Sequence, residues 1–410
     1  MIAPAMFTIK NFAFAALLAF CLAAPVGAKN VAAPAAASAA PAAIQLQKLR
    51  AAAQRGDAQA QYNLGVLYAE GQGVPQDDAQ ATRWFRKAAV QGDADAQFYL
   101  GVMYAESRGV AKEQTQAESW SLNKSQMQAV VWIRKAAEQG LAMAQYNLGS
   151  MYTYGQGVAK DEAQAEVWFR KAADGLREDA QKGEAEAQAA LGAMYFKGLG
   201  VAKDEEQAAI WVRKAAEQGH ARAQFSLGVM HANGLGVAKD KEQADAWYRK
   251  AAIGLRKDAE RGNADAQAAL GTLLYMTGMG VAKDEEEAVF WLRKSARQGN
   301  PSAQYVLGEM FSTAVDRAEA SFWLHKAAEQ GVVQAQSKLG RMYLFGLGVA
   351  KDGAQAARWF GKAAEQGDTD AQVGLSMIYR KGEGVPKDCA QAEYWFRKYN
   401  DDAQAPFKCE

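Results

Sequence analysis

Ala58-Gln59-Ala60-Gln61-Tyr62-Asn63-Leu64-Gly65-Val66-Leu67-Tyr68 decides the fold of this chain. Ala60, Leu64 and Tyr68 stand at i, i+4 and i+8, so they share one helical face. Gly65 lies beside that stripe, where a missing side chain lets a second helix come close. Gly71-Gln72-Gly73-Val74 then ends the helix and reverses the chain. Asp77, three residues before Gln80, has the spacing of a capping box and predicts a second helix. That helix carries Ala81, Trp84 and Ala88, small residues beside a large one, and closes on Gly92. Asp93 is a fresh cap, and the phrase begins again.

The recurrence extends nearly to the C-terminus. Nine of the ten tryptophans occupy the same place in the phrase: Trp84, Trp132, Trp168, Trp211, Trp247, Trp291, Trp323, Trp359 and Trp395. The Asp cap returns as Asp161, Asp204, Asp240, Asp284, Asp352 and Asp388, each with Gln or Glu three residues on. A single hairpin cannot bury both faces of its helices, so units of this period must stack. The tryptophans are then core between helices rather than a cofactor box. The expected fold is all-α, a solenoid of about nine stacked helix-turn-helix units over residues 57–399. Ile44 to Gly56 reads as a lone second helix capping the N-terminal end, and residues 400–410 as a tail.

The unit resembles the Sel1-like repeat, a relative of the tetratricopeptide repeat. The resemblance rests on the Ala-x-Ala-Gln-x-x-Leu-Gly-x-x-Tyr start, the Gly-x-Gly-Val turn, the Asp cap and Trp-x-x-Lys-Ala-Ala-x-x-Gly. It implies an α/α right-handed superhelix used for protein binding. It also implies that the residue after Gln in each unit, and another four residues on, point to the concave side. On that basis Tyr62, Val66, Phe98, Val102, Tyr146, Phe225 and Tyr305 are candidate partner-binding residues, with units one to five as the main site. The alternative, read from the residues themselves, is that these aromatics fill gaps between neighbouring first helices.

Departures from the phrase are few. Units three and five insert seven residues, about two turns, after Lys171-Ala172-Ala173 and Lys250-Ala251-Ala252. Unit two starts its second helix twice, leaving Trp120 surplus to the stack and a further candidate for partner contact. Unit seven loses its Gly-x-Gly-Val turn and Asp cap around 311–317, which predicts a tighter join and a local change of curvature.

Charge is high and balanced, at net +1. Residues 1–28 contain one charged side chain, Lys10; without them cations and anions cancel, which gives no support for nucleic-acid binding. Lys10, the apolar run from Phe12 to about Pro25 and the small residues Val26-Gly27-Ala28 read as a cleaved signal peptide over 1–28. Residues 29–43 read as an Ala/Pro-rich spacer. A periplasmic or secreted chain with no stable membrane insertion follows. Cys389 and Cys409, the two cysteines left after cleavage, could pair there or stay free thiols.

No catalytic residue, cofactor or metal is expected. His220, His231 and His325 all fall in repeat register, and Gly-x-Gly turns such as Gly198-Leu199-Gly200 lack the strand that phosphate loops require. The reading is therefore an exported scaffold that binds a protein or peptide partner. The other class is a peptidoglycan-related or penicillin-binding, β-lactamase-like envelope enzyme. Cysteine-rich relatives of this fold imply it, but they pair cysteines inside each repeat, where this chain has none.

Overall fold

The computed structural model describes residues 39–106, 108–110, 118–276, 280–313, 316–400 and 407–409. Among them are nineteen helices and no strand. The chain divides into two compact units, Met1–Lys257 with Gly278–Val281 and Asp258–Thr277 with Ala282–Glu410. In the first, α1 (Ala39–Gln54) precedes five hairpins. These are α2 (Ala58–Glu70) with α3 (Asp78–Val90), α4 (Ala94–Ala105) with α5 (Glu118–Glu138), and α6 (Ala142–Tyr154) with α7 (Glu162–Gln181). Then come α8 (Ala185–Lys197) with α9 (Glu205–Glu217), and α10 (Ala221–Asn233) with α11 (Lys241–Glu260), whose last turn passes Lys257. The second unit holds α12 (Ala264–Tyr275) with α13 (Glu285–Arg297), and α14 (Pro301–Thr313) with α15 (Arg317–Glu329). It ends with α16 (Val333–Phe345) and α17 (Gly353–Glu365), then α18 (Thr369–Lys381) and α19 (Cys389–Tyr399). Even-numbered helices open the repeats and are called A helices; odd-numbered ones are B helices. Within each unit, helices pack on their neighbours in chain order, as a helical solenoid requires.

Local chemistry sets the ends of these helices. Asp77, Asp161, Asp204, Asp240, Asp284, Asp352 and Asp388 each accept the backbone N–H three residues on, at 2.9–3.0 Å. The second half of a capping box does not form as the spacing suggested. The N–H of Asp77 donates instead to Tyr68 O on the A helix, and the other six caps do the same with their own A helices. The residue three past the cap has another use in repeats six and seven, where Glu287 and Glu319 accept the indole N–H of Trp291 and Trp323. Repeat seven also keeps its cap, contrary to the reading of its shortened loop: Asp316 accepts from Glu319 N at 3.0 Å. Residues 314–315 of that loop lie outside the described residues. At the N-terminal end, α1 starts at Ala39, five residues before the expected Ile44. Alanine favours helix strongly enough to carry it back into the presumed spacer, and Pro41 sits in the first turn, where its missing N–H costs nothing.

Stacking rests on three recurring contacts. The first is between Gly and the residue that follows Trp. A Cβ on Gly65 would lie 2.6 Å from the Phe85 ring, one on Gly149 2.9 Å from Phe169, and one on Gly340 2.8 Å from Phe360. Ile133, Val212, Tyr248, Leu292 and Leu324 meet Gly101, Gly192, Gly228, Gly271 and Gly308 in the same way. Interiors are close-packed, so the absent Cβ fixes how near the two helices of each hairpin approach.

The second contact is a buried glutamine ladder. The Gln of every Ala-x-Ala-Gln start donates its side-chain amide to the carbonyl eight residues earlier, near the end of the preceding B helix. In six repeats its oxygen then accepts from a second glutamine at the end of the following B helix, as in Gln91 to Gln61 and Gln366 to Gln336. Repeats three and five end their B helices on Lys182 and Arg261 instead, and the last has no Gln at Asn400. Their glutamines, Gln145, Gln224 and Gln372, are the most exposed of the nine, at 8%, 9% and 6%.

The third contact caps the tryptophans. Lys87, Lys135, Lys171, Lys214 and Lys250 each hold their ammonium 4.2–4.5 Å from the ring three residues earlier. Apolar neighbours cover the rest of the indole, and the lysine stem shields the face left towards solvent.

The seven-residue inserts become part of single 20-residue helices, α7 and α11. Each adds a glycine that touches the start of its own A helix: a Cβ on Gly175 would meet Ala142, and one on Gly254 would meet Ala221, both at 2.7 Å. Leu176 and Leu255 are buried alongside. The inserts are therefore packed structure on one side, not frayed ends.

Candidate partner-binding face

The two rows read as partner-binding lie on the A helices, but the first repeats do not offer them to solvent. Tyr62, Val66, Phe98, Val102, Tyr146 and Phe225 are all buried, none more than 5% exposed. Tyr62 packs against Phe85 and Tyr99 with ring centroids 6.1 and 5.6 Å away; Tyr146 packs on Phe169 and Phe225 on Tyr248. Tyr62, Tyr146 and Phe225 thus pack on B-helix rings of their own hairpins, and Tyr62 also on Tyr99 of the neighbouring A helix, the kind of contact that the sequence offered as the alternative. Burial pushes the Tyr62 and Tyr248 phenols far above their ordinary values, with Asp95 and Asp245 adding to the effect.

The same rows change character in repeats seven to nine. There Tyr305, Glu309, Arg341 and Met377 are half-buried rather than closed off, as is Lys338 beside the buried Ser337. Glu309 of α14 accepts from Lys338 of α16 across the repeat boundary. Burial and the adjacent Glu309 carboxylate raise the Tyr305 phenol steeply, Arg341 pulls it back, and Asp368 raises it again. Ser337 donates to Asp368 at 2.8 Å, and Asp368 also caps α18 by accepting from Ala371 N. Three successive A helices thus hold opposite charges in fixed positions, partly desolvated and within reach of solvent. Such groups are suited to charge-assisted hydrogen bonds with a partner.

The remaining candidates resolve individually. The helix backbone at Trp120 belongs to α5, while its side chain lies outside the described residues. Residues 1–38 also lie outside them. Cys389 and Cys409 are joined by a disulfide, and Phe407 packs on Phe396, so the tail returns onto α19. His220 caps α10 through Nδ1, which accepts from Ala223 N, while Nε2 contacts Glu186 at 2.8 Å. Burial alone would raise the Glu186 carboxyl, but His220 and Arg222 together hold it below its usual value. His231 is buried in the slot that other A helices give to Tyr. His325 stands where Arg86 and Arg134 donate to Tyr104 and Tyr152, with Nε2 3.2 Å from the Tyr343 hydroxyl. All three histidines serve the stack.

Among the described residues no group of three or more His, Cys, Asp or Glu is placed to hold a metal ion. No described helix is long and apolar enough to cross a membrane.

A family model for the Sel1 repeat matches nine consecutive segments: 58–93, 94–141, 142–175, 185–220, 221–253, 264–300, 301–332, 333–368 and 369–398. Among solved structures, the chain is similar to c5321, a protective antigen of uropathogenic Escherichia coli with an SLR fold. They share 37% identity, covering 88% of this chain and 80% of that one, with a TM-score of 0.35. It is also similar to a Sel1 repeat protein from Oxalobacter formigenes at 31% identity, covering 88% and 99%, with a TM-score of 0.36. A comparison with curated proteins finds no match. Proteins built from Sel1 repeats are in general interaction scaffolds rather than catalysts. With nine matches in series along nearly all of its described length, the chain belongs to the Sel1 repeat family.

Proposed function

We propose that the chain is an exported scaffold that holds another protein against the A helices of repeats seven to nine. One observation carries this reading: stacking consumes the A-helix rows in the first repeats, whereas Tyr305 stays partly exposed beside the charged and partly exposed Glu309, Lys338 and Arg341. An ion pair already formed between repeats presets the donors and acceptors, so a partner meets an ordered surface. Export is supported by Lys10, the apolar run to Pro25 and the small residues before Lys29. The Cys389–Cys409 bond agrees with it, since disulfides persist in oxidising compartments.

Crosslinking in the native envelope, followed by mass spectrometry, identifies the partner and the segment it touches. Crosslinks are expected within 305–341. Glu309→Lys combined with Arg341→Glu should abolish recovery of that partner while helical circular dichroism is retained. Undiminished recovery, or crosslinks confined to repeats one to three, would sink the reading.

A further inference from the structure

Three successive B helices of the first unit carry the same exposed pattern. The residue before each tryptophan is a branched aliphatic open to water: Val131 is 46% exposed, Val167 46% and Ile210 47%, with Met127 at 59% one turn before Val131. Branched residues are mediocre helix formers and gain nothing from exposure, so stability does not account for three of them in register. The row has ends. Repeat one has Arg83 at this place and repeat five has Ala246.

Each aliphatic has an arginine three residues on and a lysine four residues on, on its own side of the helix: Arg134-Lys135, Arg170-Lys171 and Arg213-Lys214. The lysines lie across Trp132, Trp168 and Trp211, which holds their charge beside the aliphatic row. Glu166 pairs with Arg170, Glu206 lies one turn before Ile210 on the side away from the lysine, and Glu138, Asp174 and Glu217 lie beyond the lysines. In the second unit the corresponding residues are Phe290, Phe322, Arg358 and Tyr394, and the three aromatics, equally exposed, each have a cation close to the ring. Lys294 lies 4.5 Å from Phe290, Lys326 6.0 Å from Phe322, and Lys398 5.2 Å from Tyr394. Among the described residues, repeats two to four alone place an exposed aliphatic before the tryptophan with a lysine four residues on.

We propose that the B-helix face formed by Val131, Val167 and Ile210 with Lys135, Lys171 and Lys214 docks an acidic amphipathic helix of another protein. Its apolar edge would cover the aliphatic row, and its carboxylates would lie over the lysines. This surface is separate from the A-helix face of repeats seven to nine and does not depend on it.

The test uses the full chain and two labelled, hydrocarbon-stapled helices of about 18 residues, both with Leu at i, i+4, i+7 and i+11. One carries Glu at the remaining positions and the other Lys. The Glu helix should bind and the Lys helix should not. Val131→Glu, Val167→Glu and Ile210→Glu together should weaken the Glu helix at least about tenfold, a difference of about 1.4 kcal/mol, with unchanged thermal melting. Replacing Lys135, Lys171 and Lys214 by Glu should reverse the preference towards the Lys helix. Equal binding of both helices, no binding of the Glu helix, or indifference to the aliphatic substitutions each overturns the proposal. Phosphatidylserine vesicles that compete fully with the Glu helix would assign the face to membranes instead and overturn it as well. Glu309→Lys should leave the Glu helix bound as before.

Discussion

The A helices of repeats one to three and those of repeats seven to nine occupy the same register and do opposite things with it. Tyr62, Phe98 and Tyr146 are enclosed by the chain's own helices; Tyr305 stays half open beside the charged Glu309 and Arg341. Register alone therefore does not say whether a residue is surface. In repeats one, three and five the aromatic after Gln meets a B-helix ring, as Tyr146 meets Phe169, whereas the residue after Trp in repeat seven is Leu324. A polar residue there cannot give up water so cheaply, and it finds a charged neighbour on the next A helix instead.

The largest effect should come from breaking the enclosed side. Tyr146→Ala is expected to cost about 3–5 kcal/mol by chemical denaturation. A binding surface would instead show normal stability with lost capture. Next, Gly149→Ala would drive a methyl group into Phe169, and is expected to cost about 1–3 kcal/mol. Gln336→Ala removes both the donor to Ala328 O and the acceptor for Gln366, and should cost about 1–3 kcal/mol. Gln145→Ala, where Lys182 stands in place of the second glutamine, should cost less by about 1 kcal/mol. Equal losses would show that the second glutamine adds nothing. On the open side, removing the Glu309–Lys338 pair by Glu309→Gln should change stability by under about 1 kcal/mol, because the pair keeps contact with water.

A pH titration probes the join between repeats four and five. Glu186 is held below its usual value by His220 and Arg222. Its contribution is thus complete above the ordinary carboxylate range and lost as pH falls through its lowered value. Glu186→Gln should flatten the acid limb of the stability curve. An unchanged acid limb would remove this carboxylate from the account.

Most of the architecture was legible in the residues because its signals are local. Caps such as Asp77, turns such as Gly71-Gln72-Gly73 and the Trp84 register each need only a few neighbours in sequence. Repeat seven misled because Asp316 caps its helix from a loop without glycines, so the cap had no turn to announce it. Three features were hidden for a common reason. The core role of Phe85, next to the conspicuous Trp84, depends on a gap in another helix at Gly65. Gln61 looked like a motif letter until its partners Ala53 O and Gln91 appeared from the helices on either side. Burial of the A-helix rows likewise depends on how closely the neighbouring helices approach.

The glutamine ladder has a consequence for how such a protein changes length. Each rung joins one repeat to the next through a backbone carbonyl and an amide side chain, and neither records which repeat it belongs to. The first bond is the same at every seam and the second at six of them, so a repeat copied or deleted by recombination there meets its new neighbour with the bonds already specified. Inside the array the exceptions are the seams entered by Gln145 and Gln224, which receive no second glutamine because α7 and α11 end at Lys182 and Arg261. Copying across those two seams should produce poorer joints than copying across the other repeat boundaries, and growth of the array would be expected to spare them.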